Sequence, residues 1–490
     1  MEGLASLSTI DFVIIALYFI VIIAVGFLGA KFAKTKEDYL VAGRRLSFPL
    51  FFGCMAAMAL GGGSTVGSAE LGYNFGFGGI WLNLSIGIGL ILAGFLVTSK
   101  LSKLRALSVN EVVEKSYGPL ARIFSSVLTL IYTLALSVTQ VLAIGTVIHG
   151  VLGIDPTLSM VAGGGIVIIY TFVGGMWSVT MTDIVQFVVK TIGVVILAPI
   201  FCITAAGGWD ALVSAVPQGY MDPTNMGFDR SFAYVVLYVP GLIIGQDIWQ
   251  RIFTAKSEKV AKSGTILAGV YSILYAFATV IIGMSVFALL PDLSNTGDAF
   301  VIGVATFLPE GVRGIILAAA MAAAMSVSSG TILASSTVLY NDVYVRFINN
   351  KPTKMHEVNV TRVCALIIGV VVMVCALWIN DVLAGIDISY GYLSGAVFVP
   401  LVASFILKRF SPKAGLVSLA VGGIVVTVCF ITLGTSSSIP TVAGMVSGLI
   451  SYVLVNAIDK KNRINSPLDD EELEKQLAEM EAADAQTQEK

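Results

Sequence analysis

The stretch FFGCMAAMALGGGSTVGSAELGY, residues Phe51 to Tyr73, decides how the rest of this chain is interpreted. It begins as an apolar segment long enough to enter a bilayer, and three consecutive glycines, Gly61 to Gly63, then interrupt it. Each glycine weakens a helix by roughly 1 kcal/mol relative to alanine. Backbone groups freed at membrane depth persist only where protein or a polar cavity satisfies them. With Ser64 and Thr65 adjacent, the stretch predicts a broken membrane helix beside a polar site; a glycine-packed helix crossing is the alternative.

The composition indicates an all-α integral membrane protein. Of its 490 residues, 56% are hydrophobic and 12% are charged, and the mean hydropathy is +0.90. Soluble domains carry about 25% charged residues, and apolar runs of about 20 residues have the length of membrane-spanning helices. The chain has no Walker A motif, and its five cysteines and two histidines lack the spacing of a metal site or a catalytic triad. We therefore expect a transporter that is not ATP-driven and is not an enzyme.

Charge patterning predicts the topology. Lysine and arginine concentrate in loops that lie on one side of the membrane if every apolar segment crosses once. By the positive-inside rule, the N-terminus is outside and the C-terminus is cytoplasmic, in the plasma (inner) membrane. Residues 1–465 form the predicted membrane domain, and the acidic residues 466–490 form a cytoplasmic tail. Thirteen transmembrane helices are predicted, at residues 9–30, 47–73, 78–99, 121–150, 157–174, 182–206, 232–252, 263–290, 311–345, 360–379, 385–408, 414–433 and 438–458.

A second interruption lies in the seventh segment. There PGLIIGQDIWQR, residues Pro240 to Arg251, places a proline and two glycines inside an apolar run. The first interruption is in the second segment, five segments earlier. Broken helices at corresponding positions of two five-helix halves are typical of inverted-repeat transporters, whose solute site lies between them. The two breaks together predict a 5+5 inverted repeat.

Four motifs make the chain resemble the solute:sodium symporter family over about residues 10 to 460. They are DYLVAGRRL (38–46), GGMWSVTMTDIVQ (174–186), QR (250–251), and AAAMS (322–326) with SST (335–337). The family has a LeuT-like fold with an extra leading helix, so the resemblance implies that fold here. The run GGGSTVGSAE (61–70) is most similar to the choline-transporter branch, although Ala59 stands where that branch carries an aromatic residue.

The resemblance also implies a sodium site. Sodium prefers hard oxygen ligands, which an unwound backbone supplies. The second hydroxyl of the family's site maps to Val327, which has no oxygen, and the neighbouring Ser328 lies about 100° further round the helix. The matched ligands are the carbonyls of Ala57, Leu60 and Ala323 and the hydroxyl of Ser326.

A deep lysine in the sixth segment offers a different form of coupling. Asp183 marks the predicted cytoplasmic start of this segment, and Lys190 lies seven residues further, roughly 10 Å along a helix. A charge at that depth is a candidate functional group. In sodium-independent relatives with a LeuT-like fold, a lysine amine can occupy the sodium position. The cofactor is thus either a sodium ion or, through Lys190 and Asp183, a proton, and a purely structural ion pair of the lysine is the alternative.

The substrate site is expected between the two breaks. A polar stripe on the fourth segment, running from Ser126 to Gln140 at helical spacing, is expected to line the cavity. Acidic residues in membrane segments favour a solute with an amine. The candidate substrate-binding residues are Gly62, Gly63, Ser64, Thr65, Asn83, Ser137, Gln140, Gly245, Gln246, Asp247, Trp249 and Asp387.

The function expected from these features is secondary active import of a small polar or zwitterionic, amine-bearing solute by alternating access, coupled to sodium or protons. A sodium-independent, Lys190-substituted transporter is one alternative. A channel or a transport-domain sensor is an alternative of another class. The expected partners are the small-molecule solute, the coupling cation and the lipid bilayer, and no nucleic acid.

Overall fold

The computed structural model describes residues 7–104, 106–349, 354–378, 382–434 and 438–469. In this part of the chain, helices account for nearly all regular structure, and β1 (Arg409–Phe410) pairs antiparallel with β2 (Ile464–Asn465). The helices are α1 (Thr9–Ala30), α2 (Lys36–Val41), α3 (Phe48–Ala59), α4 (Ser68–Phe75), α5 (Trp81–Leu96), α6 (Thr98–Lys103), α7 (Val109–Tyr117), α8 (Pro119–Leu152), α9 (Pro156–Lys190), α10 (Ala198–Ala205), α11 (Trp209–Ala215), α12 (Phe228–Ile244), α13 (Gln246–Ile252), α14 (Glu258–Leu289), α15 (Ala299–Phe307), α16 (Val312–Val338), α17 (Lys354–Ala376), α18 (Val382–Tyr392), α19 (Phe398–Ile406), α20 (Pro412–Leu433) and α21 (Ile439–Ile458).

The apolar helices establish a multi-pass membrane protein. Among the described residues, ten helical stretches are long and apolar enough to cross a bilayer, and the bent pair α12–α13 makes eleven. Residues 156–205 count as one stretch, yet the chain reverses at Gly175, where φ is +53°. Tyr170 and Thr182 both lie beside Gly26 of α1, although a straight helix would hold them about 18 Å apart. The number of thirteen crossings stays a prediction.

The helix α16 lies at the centre of the bundle. Every residue from Ile316 to Val338 is buried, and the helix contacts α1, α8 and α9. Its run of alanines, 318–320 and 322–324, lets neighbouring backbones approach closely, which is how membrane helices associate. At its start, Arg313 Nε donates to Asp11 Oδ2 at 2.6 Å, and this buried pair fixes α1 against α16.

The predicted tail begins against the membrane domain. Ser466 Oγ donates to the Ser404 carbonyl at 2.7 Å, and Leu468 is fully buried. The strand pair β1–β2 brings this segment back beside α19. Residues 470–490 lie outside the described residues, so the division at residue 465 stays a prediction.

Candidate functional site

The first helix interruption lies between α3 and α4. Leu60 is extended, with φ −123° and ψ 94°, and residues Gly63–Gly67 continue as a π-helical turn. The Gly62 N–H donates to Gln140 Oε1 on α8 at 2.8 Å. A side chain at Gly62 would have its Cβ 3.1 Å from the Ala324 Cβ of α16. Glycine is therefore required at position 62, because α8 and α16 both approach the backbone there too closely to leave room for a side chain.

Further hydrogen bonds hold this interruption open. Thr65 Oγ1 donates to the Gly61 carbonyl at 2.9 Å and lies 2.6 Å from the Tyr275 hydroxyl of α14. Asn83 Nδ2 donates to the Ser64 carbonyl at 2.8 Å. Protein groups thus satisfy backbone oxygens that a continuous helix would have used, as burial in a membrane requires.

The second interruption lies between α12 and α13, which meet at an angle of 41°. Gly245 is extended, with φ −59° and ψ 130°, and a Cβ there would lie 2.7 Å from Asp247 Oδ1. Asp247, in the first turn of α13, accepts a hydrogen bond from the Tyr132 hydroxyl of α8 at 2.6 Å. The bend therefore folds a buried carboxylate back over the break.

A small cavity of about 30 Å³ lies between the two interruptions. This volume holds about one water molecule, so a solute enters only when the surrounding helices move apart. Of the predicted substrate residues, Gly63, Ser64, Gln140 and Asp247 line it. The lining is completed by Met58, Ala59, Gly61, Leu82, Ile86, Leu136, Tyr238, Leu242, Ile248, Val327, Ile386 and Tyr390.

Two hydroxyls of the polar stripe on α8 are directed at α16 and not into the cavity. Ser137 Oγ donates to Thr331 Oγ1 at 2.6 Å, and Ser335 Oγ donates to Thr133 Oγ1 at 2.7 Å. Hydroxyls at helical spacing cannot be assigned to a cavity or to a helix interface from sequence alone. Among the predicted binding residues of this stripe, Gln140 reaches the cavity and Ser137 does not.

Three other predicted substrate residues lie elsewhere. Gln246 Oε1 accepts from the Val109 N–H at 2.7 Å, so this side chain anchors α7. Trp249 is fully buried and packs edge-on against Phe405, with ring centroids 5.8 Å apart. Asp387 is half-buried on α18, outside the cavity lining. Gln246 and Trp249 adjoin the second break along the chain, yet neither side chain lines the cavity.

Three tyrosines at the cavity were missed. Tyr238 and Tyr390 line it, and Tyr132 contacts both Asp247 and the Tyr390 ring. A signal for one of them was present, because Tyr132, Leu136 and Gln140 are four residues apart and share a helix face. Tyr390 comes from a distant helix, and no local pattern in the sequence indicates its position.

The predicted sodium position contains the amine of Lys190. Its Nζ donates to the Ala57 carbonyl at 2.5 Å and to the Leu60 carbonyl at 2.9 Å. Lys190 is fully buried, and so is Ala323, the third predicted carbonyl ligand. These contacts show that the lysine reaches the unwound end of α3 across the interface with α9.

Asp183 lies in the interior and not at a membrane surface. It accepts hydrogen bonds from Arg251 Nη2 at 3.1 Å, Ser326 Oγ at 2.6 Å and Cys54 Sγ at 3.0 Å. Asp183 and Arg251 are both buried. Ser326, the predicted hydroxyl ligand, is thus engaged by this carboxylate, which lies two helical turns from Lys190.

An ion-pair network lies at one end of the bundle, at the start of α8. Arg122, at the start of α8, pairs with Glu114 and with Asp342, and Arg346 Nη1 lies 2.7 Å from Glu114. Burial raises the pKa of Glu114, but hydrogen bonds from the two guanidiniums outweigh it and hold that pKa below its usual value of 4.5. Glu114 is therefore ionised at neutral pH, and the network ties α7 to the helical segment Leu339–Ile348, which directly follows α16.

The other end of α8 adjoins a larger cavity of about 680 Å³. His149, Asp292 and Asp298 are among its lining residues. His149 lies 27 residues after Arg122 on α8, which corresponds to about 40 Å along a helix. The two ends of the bundle therefore differ: ion pairs link the helices at one end, and the larger cavity lies at the other.

Comparisons with known proteins fit this architecture. A profile described as the sodium:solute symporter family matches residues 39–422. A sodium/proline symporter of Staphylococcus aureus (strain JH9) is 24% identical over 475 residues, covering 92% of each chain. The structure of a Na⁺-coupled sialic acid symporter, in a substrate-bound outward-open state, aligns with a TM-score of 0.80 at 22% identity and covers 92% of this chain and 98% of that one. A nucleobase-cation-symport-1 family transporter in a closed conformation aligns with a TM-score of 0.57 at 16% identity, covering 90% and 98%. The structural matches show a LeuT-like fold, and the family match shows that this chain belongs to the sodium:solute symporter family, whose members are membrane transporters and not enzymes.

Proposed function

We propose that this protein imports a small, amine-bearing polar solute by alternating access and that the Lys190 ammonium takes the place of sodium at the family's cation position. The observation that carries the proposal is the pair of hydrogen bonds from Lys190 Nζ to the carbonyls of Ala57 and Leu60, at 2.5 and 2.9 Å. The solute binds between the two helix interruptions. The chain crosses the membrane thirteen times, and the interrupted helices move against the rest of the bundle during the cycle.

Electrostatics makes the amine and a sodium ion alternatives at this position. Two unit charges about 4 Å apart repel by about 4 kcal/mol at an effective dielectric constant near 20. Val327 removes one of the hydroxyls that would complete a sodium shell, and its side chain faces the cavity. The charged group that acts on the amine is Asp183 on the same helix, which is itself paired with Arg251 of α13. A charged Lys190 therefore excludes sodium from these carbonyls.

Proton coupling follows if the amine changes protonation during the cycle. When the interrupted helix moves, Lys190 loses the two carbonyls and its hydration changes, and both changes alter the balance between ammonium and neutral amine. Release of the proton on the inner side and rebinding on the outer side would couple uptake to an inward proton gradient. The family membership makes sodium coupling the competing hypothesis, and the same experiment separates the two.

We expect uptake into proteoliposomes to persist when sodium is replaced by potassium and to rise with an inward proton gradient. Lys190→Met should abolish the pH dependence while substrate binding remains measurable. The double variant Lys190→Met, Val327→Ser restores a hydroxyl and removes the competing charge, so it should acquire sodium dependence. Uptake that disappears in potassium for the unaltered protein would overturn the proposal in favour of sodium coupling.

The proposed orientation, with the N-terminus outside, has a separate test. In a chain lacking its five native cysteines, single cysteines are placed at Ser294 and Lys259, which are both exposed. Ser294 lies beside the larger cavity, just after the C-terminal end of α14, and Lys259 lies in the first turn of α14, at the opposite end of that helix. An impermeant thiol reagent added to intact cells should label the cysteine at position 294 only. Labelling of position 259 alone would show that the orientation is the reverse of the proposed one.

A further inference from the structure

The cavity between the helix interruptions has one acidic side chain among the described residues that line it. Among the described residues that line it, Asp247 is the charged one, and the other polar groups are neutral: Ser64, Gln140, and the hydroxyls of Tyr238 and Tyr390. Asp247 is 2% exposed. A buried carboxylate is costly unless a cation or several donors compensate it. The lining therefore favours a positively charged occupant.

The nearby cations of the chain are engaged elsewhere. Arg251 directs its Nη2 to Asp183 at 3.1 Å and reaches only the backbone carbonyl of Asp247, at 3.5 Å. Lys190 Nζ donates to the carbonyls of Ala57 and Leu60. The side-chain donor that the structure gives Asp247 is the neutral Tyr132 hydroxyl, at 2.6 Å. Backbone donors at the start of α13 and the more distant Arg251 charge also act on this carboxylate, and a ligand cation in the cavity would give it a direct counter-charge.

Aromatic rings form a cluster at the same cavity, and one of them, Tyr132, contacts the Asp247 carboxylate. The ring centroids of Tyr132 and Tyr390 lie 5.5 Å apart, and those of Tyr238 and Tyr390 lie 4.8 Å apart. The faces of aromatic rings attract cations, most strongly where water is excluded. The Tyr238 hydroxyl is buried without a hydrogen-bond partner among the described residues, and its residue is 2% exposed. Such an orphaned group at a cavity wall is an independent indication of a polar ligand.

We propose that the cavity selects a monovalent organic cation, an amine or ammonium compound without a carboxylate of its own. Its charged head would lie between Asp247 and the rings of Tyr238 and Tyr390, and its carbon body against Leu136 and Ile248. A zwitterion would place its carboxylate in a lining that offers no basic side chain among the described residues. This assignment rests on the proposed transport function, because it names the solute class of the same site.

Ligand charge can be varied at nearly constant shape. Purified protein is tested for thermal stabilisation by choline, by its neutral carbon isostere dimethylbutanol, by glycine betaine, which adds a carboxylate, and by the primary amine ethanolamine. We expect at least one of the two cations to stabilise the protein at concentrations at least tenfold lower than the neutral isostere and the zwitterion. Equal or stronger stabilisation by betaine, or no stabilisation by either cation, would overturn the assignment.

Variants at the cavity provide a second measurement. Asp247→Asn keeps the acceptor for Tyr132 and removes the charge, so it should weaken cation binding at least tenfold, whereas Asp247→Glu should retain most of it. Unchanged cation binding in Asp247→Asn contradicts the assignment. The two proposals can be tested separately, because ligand binding by the purified protein does not depend on coupling through Lys190. If the protein selects cations but its uptake requires sodium, only the proposed coupling is wrong. If the protein selects zwitterions but its uptake depends on Lys190, only this inference is wrong.

Discussion

Replacing Gly62 and Gly63 by leucine is expected to abolish uptake while the protein still reaches the membrane. A Cβ at Gly62 would meet Ala324 of α16 at 3.1 Å, and one at Gly63 would press on Ile386 at the cavity wall. Leucine also favours a continuous helix over the interruption by roughly 1 kcal/mol per glycine replaced. The added side chains would fill the cavity, and the restored helix would stiffen the segment that has to move. Radiolabelled solute uptake at matched membrane levels measures the result.

The chain supplies a matched control at Gly165. This glycine also lies within a membrane helix, α9, and a Cβ there would meet nothing within 4 Å. Gly165→Leu should therefore transport at close to the unaltered rate. If the double variant at residues 62 and 63 transports as well as Gly165→Leu, the interruption is not part of the transport site.

Of the variants proposed for this protein, Asp183→Ala is expected to lower the free energy of unfolding the most. Asp183→Ala leaves the fully buried Arg251 guanidinium without its counter-charge and removes the acceptor of Ser326. Breaking a buried ion pair by deleting one partner costs about 3–5 kcal/mol, because the remaining charge stays desolvated. Thermal unfolding of the purified variant in detergent should show a marked decrease in melting temperature.

A double variant separates the buried charge from the loss of packing. Asp183→Leu combined with Arg251→Met removes both charges, and well-packed apolar replacements of a buried pair are often nearly neutral. The double variant should thus be more stable than Asp183→Ala. Asp222→Ala, in an exposed loop, serves as a control that should change stability by less than about 0.5 kcal/mol. Equal melting temperatures for Asp183→Ala and this control would contradict the argument.

The parts of the site that were predictable from sequence depend on the backbone preferences of residues that are adjacent in the chain. Consecutive glycines at 61–63 and the Pro240–Gly245 run cannot form regular helices in a bilayer without compensation, so both interruptions could be located. Lys190 was singled out by counting residues from Asp183 along one helix, and both side chains are fully buried in the structure. The family resemblance then indicated Ala57 and Leu60, the two carbonyls that the lysine contacts in the structure.

The other parts depend on which helices meet. Asp183 was assigned to a membrane surface because its helix appeared to begin there, whereas α9 reverses at Gly175 and places Asp183 against Arg251 in the interior. The roles of Tyr390 and of the hydroxyls Thr133 and Ser137 were undetermined for the same reason. The side chains of Tyr390, Thr133 and Ser137 each contact a partner more than 100 residues away in the chain. Three-dimensional packing decides which of these residues meet.

The amine of Lys190 has an electrical consequence. A sodium ion that binds outside and dissociates inside carries one elementary charge across the membrane, which is worth about 2.3 kcal/mol for every 100 mV. An ammonium attached to the chain returns with its helix, so it moves no net charge over a complete cycle unless it exchanges its proton. The number of charges measured per solute molecule therefore reveals whether Lys190 keeps its proton or releases it. A cationic solute alone gives one charge, and a proton carried with it gives two.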